Sequence, residues 1–150
     1  MTSMRSAMNV KTRKDQAKQT KRQLHINMSE GKHRGGIFSY GYGMDSDRNT
    51  IIVEKEAKVV RRIYQMSLEG LGMDKIAIIL NDEGVDTRYN QIGTGSLKTK
   101  HKDTAKITER KKSDINWSGN TIRGILRSEK YKGKAYLGKN KERRSYDYPV

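Results

Sequence analysis

The sequence predicts an α+β fold: a small β-hairpin packed with a helix-turn-helix-like set of helices, behind a long N-terminal helix. Three observations carry this. Ala57, Val60, Ile63, Tyr64 and Leu68 recur at spacings of three and four, the period of an amphipathic helix. Two short β-prone runs, around Ile37–Tyr42 and Thr50–Val53, flank Asp45-Ser-Asp-Arg-Asn49, which is turn chemistry. Residues 5–30 hold neither Pro nor Gly, and Gln, Lys and Arg, all good helix formers, dominate from Lys11 to Gln23.

The elements follow in order. The basic helix of 5–30 ends near Gly31, a residue suited to the C′ position. Its apolar positions are few, so it needs a partner surface or frays alone. A Gly-rich linker then enters the hairpin. The helix of 54–69 starts with Glu54 and Glu56, favourable to the dipole, and Gly70 stops it. A second helix covers about 73–83, capped by Gly72 or Asp74, with Ile76, Ala77 and Leu80 inward and Gly84 as its stop. Residues 88–115 lose periodicity and read as a long flexible loop. Trp117 restores the core, and Ser118 is a good N-cap for a third helix, 119–129, with Ile122, Ile125 and Leu126 inward. Tyr131–Lys139 reads as a last strand and 140–150 as a polar tail.

The 150 residues carry 32 Lys and Arg against 17 Asp and Glu, a formal net charge of +15. The charge is uneven: residues 1–36 balance at +7, 37–96 at −2, 97–113 at +5 and 118–144 at +7. A field of that sign needs a counter-charge, and nucleic-acid phosphates supply it with release of condensed counterions. A membrane surface is the rival partner, but residues 9–24 offer only Val10, Ala17 and Leu24 as an apolar face, so no membrane partner is expected. With no Cys, disulfides, thiolate zinc ribbons and cysteine nucleophiles are excluded. The N-terminus lacks the apolar stretch of a secretory signal, which makes a cytoplasmic setting the expectation.

Three basic features are candidate DNA contacts. The outer face of the third helix carries Asn120, Arg123 and Arg127, with Lys130 beyond it; Arg can read guanine and Asn adenine bidentately. Ser118, Thr121 and Lys132 join that set. The arrangement follows helix-turn-helix logic, and an ordinary basic surface helix fits equally. Lys32-His33-Arg34-Gly35-Gly36 sets an Arg on a slim backbone that suits a narrow minor groove; a plain hinge is the alternative. Lys98, Lys100 and Lys102, with Arg88, are candidate phosphate contacts, unless the loop only steers at long range. Asp45, Asp47, Asn49 and Glu56 mimic positions 1, 3, 5 and 12 of a calcium loop, but Thr50 stands where that loop needs Gly. His25, His33 and His101 are scattered, no metal-ligand spacing occurs, and Gly93-Thr-Gly-Ser96 lacks the ending of a phosphate loop. No catalytic constellation, metal, cofactor or small-molecule substrate is expected.

Gly36-Ile-Phe-Ser-Tyr-Gly-Tyr42 resembles the entry of the recombinase domain of large serine recombinases, in the resolvase–invertase superfamily. Val53-Glu-Lys-Glu-Ala-Lys-Val-Val-Arg-Arg-Ile-Tyr64 is similar to its next signature, followed by Gly70, Ile76-Ala77, Leu80-Asn81, Gly84-Val85 and Thr87. After a variable insert, Trp117, Ile122, Ile125-Leu126, Tyr131 and Gly133 continue the likeness. Phe38-Ser39 departs from it where the family usually has a Pro, as does the long Lys-rich insert.

The resemblance implies a site-specific recombinase of a phage or mobile element, bacterial or phage-encoded and nucleoid-associated. Its serine nucleophile would sit in a separate N-terminal domain and a zinc ribbon would follow, so this chain is expected to bind rather than cleave. Residues 1–31 would be the end of the helix leaving the catalytic domain, 32–139 the DNA-binding domain and 140–150 a tail toward the ribbon. The implied partner is double-stranded DNA at an attachment half-site, with dimers or tetramers formed through the other domains. A helix-turn-helix transcriptional regulator and a non-specific nucleic-acid binder remain the alternatives.

Overall fold

In the computed structural model, residues 2–32, 37–137 and 144–150 are described, and the chain divides into two compact units. The fold is α+β, as the periodicities predict. One unit joins residues 39–41 to 53–128; the other gathers 1–38, 42–52 and 129–150.

The first unit is helical at its centre. Helix α2 (Glu54–Leu68) and helix α3 (Met73–Asp82) pack with helix α5 (Gly119–Arg127). Ile63, Ile76, Leu80 and Ile122 are fully buried between them. Each such side chain contributes about 1.5–3 kcal/mol by leaving water. Gly70 and Gly84 take positive φ after α2 and α3, the left-handed backbone that a glycine stop allows. Leu68 was expected inside and is 83% exposed; Met66 takes the inward place. The buried stripe therefore ends at Met66, two residues before Leu68.

The segment 88–115 is not a loop. It holds a short helix α4 (Arg88–Ile92), an antiparallel hairpin of β3 (Ser96–Lys100) and β4 (Ile107–Lys111), and a 3₁₀ turn at Lys112–Asp114. Periodicity missed it because almost nothing in the hairpin is buried, so the strands carry no apolar alternation. Its root is fixed. Buried Thr87 and Asn90 form a reciprocal cap on α4, Thr87 Oγ1 donates to the Ile115 carbonyl at 2.9 Å, and Asn90 Nδ2 donates to that of Ser113 at 2.6 Å.

The second unit contains helix α1 (Thr2–Ser29) and two small hairpins. Strands β1 (Tyr42–Met44) and β2 (Thr50–Ile52) pair antiparallel, Gly43 opposite Ile51. The Asp45 carboxylate accepts from the Asn49 side-chain amide and from the backbone N–H of Asn49 and Asp47, and these bonds hold it below the usual carboxylate range. Strands β5 (Lys134–Leu137) and β6 (Arg144–Asp147) form the other hairpin. Part of the expected polar tail is thus a strand, and a 3₁₀ turn at Glu129–Lys132 precedes β5. Tyr42 is the hub: its ring stacks on Tyr131 and meets Tyr148 edge-on, and its hydroxyl donates to the Pro149 carbonyl at 2.8 Å. Residues 9–23 of α1 are all exposed; His25 meets the Tyr146 hydroxyl of β6.

Candidate nucleic-acid interface

Helix α5 is two-faced because its sequence is. Ile122 and Ile125 are buried, with Leu126 half-buried, while Asn120, Thr121, Arg123 and Arg127 are exposed. Asn120, Arg123 and Arg127 are three and four residues apart, so one face presents an amide and two guanidinium groups. Neither Arg has an ion-pair partner among the described residues. Ser118 acts as cap, its Oγ accepting from the Thr121 N–H at 3.3 Å.

The start of α5 is held from two sides. The Asn81 side chain accepts from the Trp117 N–H at 2.9 Å and donates to the Trp117 carbonyl at 3.0 Å. The Trp117 indole N–H donates to the Val85 carbonyl at 2.8 Å, and its ring meets Tyr40 edge-on. Tyr64 Oη donates to the Ile125 carbonyl at 3.1 Å near the other end. The exposed face of α5 is therefore carried on a fixed frame, as a reader of a rigid ligand needs.

The first turns of α3 and α5 lie side by side. An open cleft there is lined by Gly72, Asp74, Lys75, Ser118, Asn120 and Arg123, among others. Gly119 permits the approach, since a Cβ there would overlap the Asp74 carboxylate. Nothing in the sequence alone marks Lys75 as part of this face. It sits far from α5 in the chain, and only the pairing of two helix starts places it beside Arg123.

The other expected contacts separate. Arg88, taken as a phosphate contact, is turned inward: its Nη2 pairs with the buried Glu56 carboxylate at 2.5 Å and donates to the Ser39 carbonyl at 3.2 Å. Glu56 also accepts from the Gly41 N–H at 2.6 Å, so the pair pins residues 39–41, which lead into β1, to the start of α2. Burial, with the Glu56 charge next, pushes the adjoining Tyr40 hydroxyl up to about 12. Lys98, Lys100 and Lys102 are exposed on the hairpin and its tip. Lys32, Lys130 and Lys132 belong to the other unit. Lys32 pairs with Glu30 at 2.6 Å, Lys130 Nζ lies 5.5 Å from the Tyr148 ring centre, and Lys132 is exposed. His33, Arg34, Gly35 and Gly36 lie outside the described residues.

The profile of the Recombinase family matches residues 54–149, well over half of the chain. The chain belongs to the Recombinase family. The matched Recombinase segment runs from the start of α2 past β6 and so contains α5, the hairpin and the Glu56–Arg88 pair. Membership implies interaction with DNA. Neither a curated protein nor a solved structure matches the chain. Among the described residues no helix is long and apolar enough to cross a membrane.

Proposed function

We propose that this chain is the DNA-contacting part of a serine-type site-specific recombinase of a mobile element, and that it holds one half of an attachment site. The observation that carries the reading is α5: a capped helix whose buried side fixes it and whose open side offers Asn120, Arg123 and Arg127. In this proposal α5 enters the major groove, with Ser118, Thr121 and Lys75 against the flanking backbone. The arm of Lys32, His33, Arg34, Gly35 and Gly36 follows the adjacent minor groove, and Lys132 adds to phosphate affinity. Strand cleavage falls to a serine carried by another domain of the parent protein.

Selection of bound duplexes from a random pool, at low and near-physiological salt, tests this. A motif that survives the higher salt is expected, because base contacts outlast phosphate attraction. Asn120→Ala and Arg123→Ala should each cost about 1–3 kcal/mol of discrimination at particular base pairs. Equal losses on every sequence for both variants would remove α5 as the reader.

A further inference from the structure

We propose that the β3–β4 hairpin is a second sequence reader, a β-ribbon that lies in the major groove of the same duplex with Thr99, Thr108 and Arg110 toward the base edges. This rests on the reading that α5 binds double-stranded DNA. The dimensions suit it. Five paired residues per strand span roughly 17 Å, and two strands lie about 4.8 Å apart. A major groove about 12 Å wide admits a two-stranded ribbon.

The register sorts the side chains by face. Leu97 pairs with Arg110 and Thr99 with Thr108; Ser96, Lys98 and Lys100 face Lys111, Glu109 and Ile107 on the other side. Glu109 is the only acid in either strand, and it is occupied on the back by the Ser96 hydroxyl and by Lys98 at 3.6 Å. The front holds no acid; beside Leu97 it offers Thr99, Thr108 and Arg110, donors and acceptors of the kind that base edges match. Thr99, His101, Thr108 and Arg110 line an open cleft of about 380 Å³ with Leu97 and Ile115. The back lysines have stems long enough to bend to the phosphate walls.

Packing does not explain the element. Every residue from Lys98 to Lys111 is exposed, Ile107 by 63%. A two-stranded hairpin with no buried face is marginal alone, and this one is kept by its root. That root also sets its range. Seven residues, Lys112 to Ser118, join the ribbon to α5, at most about 25 Å of extended chain. The ribbon and α5 therefore reach base pairs within about one turn of each other.

The test is the random-pool selection on the full 150-residue chain, repeated for Arg110→Ala, Thr99→Ala/Thr108→Ala, Lys100→Ala and Arg123→Ala. All of these positions are exposed, so folding is spared, and far-ultraviolet circular dichroism verifies it. The wild-type motif should show two blocks. Arg110→Ala should lower preference about tenfold at one base pair of one block, Thr99→Ala/Thr108→Ala should blur that same block, and Arg123→Ala should affect only the other. Lys100→Ala should weaken all sequences alike and reduce the salt slope by about one. A single block unchanged by Arg110→Ala and Thr99→Ala/Thr108→Ala overturns the proposal, and so does a uniform loss for Arg110→Ala, which would mean phosphate contact alone. If Arg123→Ala changes nothing while Arg110→Ala removes its block, the ribbon stands and α5 falls. No motif at any salt overturns both.

Discussion

Replacing Asn81 by Ala tests whether the frame under α5 is set by a single amide. Its side chain satisfies both backbone groups of Trp117, a residue only 4% exposed. Each bond contributes about 1 kcal/mol net, so the pair contributes about 2 kcal/mol. Where a truncated partner leaves a dry donor and a dry acceptor, the loss rises toward about 4 kcal/mol. Urea unfolding followed by the fluorescence of Trp117, the one Trp in the chain, reads this directly. With a slope of about 2 kcal/mol per molar, the midpoint should fall by about 1–2 M at unchanged slope. Asn81→Asp keeps the acceptor but turns a carboxylate oxygen onto the Trp117 carbonyl, so it should be no milder than Ala. A midpoint within about 0.2 M of wild type for Asn81→Ala would refute the reasoning.

Three further outcomes are expected. Glu56→Gln keeps an acceptor for the Gly41 N–H but leaves Arg88 without its carboxylate; with Arg88 one-fifth exposed, the cost should be about 2–4 kcal/mol in the same urea assay, and a change under about 0.5 kcal/mol would contradict the pairing. Gly119→Ala should destabilise while Asp74 is present and stabilise, by up to about 1 kcal/mol of helix propensity, in an Asp74→Ala background; additive effects across the four proteins would show no clash. Tyr40 keeps its proton to about pH 12 in the folded chain and loses it near 10 when unfolded, so folded protein binds more protons between those values and stability falls as pH rises through them. Thermal midpoints should drop over that range less steeply in Tyr40→Phe, and parallel curves would contradict the assignment.

The helices were legible because burial writes a period into sequence. Ile63, Ile76, Leu80 and Ile122 are apolar at helical spacing and are the most buried residues of their unit. Charge and capping were legible too: Ser118 caps as its type predicts. What stayed hidden has no period. The hairpin of 96–111 buries nothing, so Lys-Thr-Lys and Thr-Glu-Arg-Lys read as solvent-exposed loop. Glu56 looks like a dipole-friendly residue of a first helical turn and Arg88 like a free cation; only the fold, across 32 residues, makes them partners. The strand at Arg144–Asp147 is polar and finds its identity in β5.

The division of the chain also has a temporal meaning. The unit holding α2, α3, the hairpin and α5 is almost continuous in sequence and ends at Ser128. It can close on the ribosome as soon as that stretch emerges, since domains form as units during synthesis. The other unit joins residues near both ends; His25 meets Tyr146 across 121 positions, and Tyr42 meets Pro149 across 107. Long loops cost more entropy to close, and here the partners emerge only 121 and 107 positions later. The helical unit bearing α5 would thus be complete while α1, already synthesised and strongly basic, still waits for its strand.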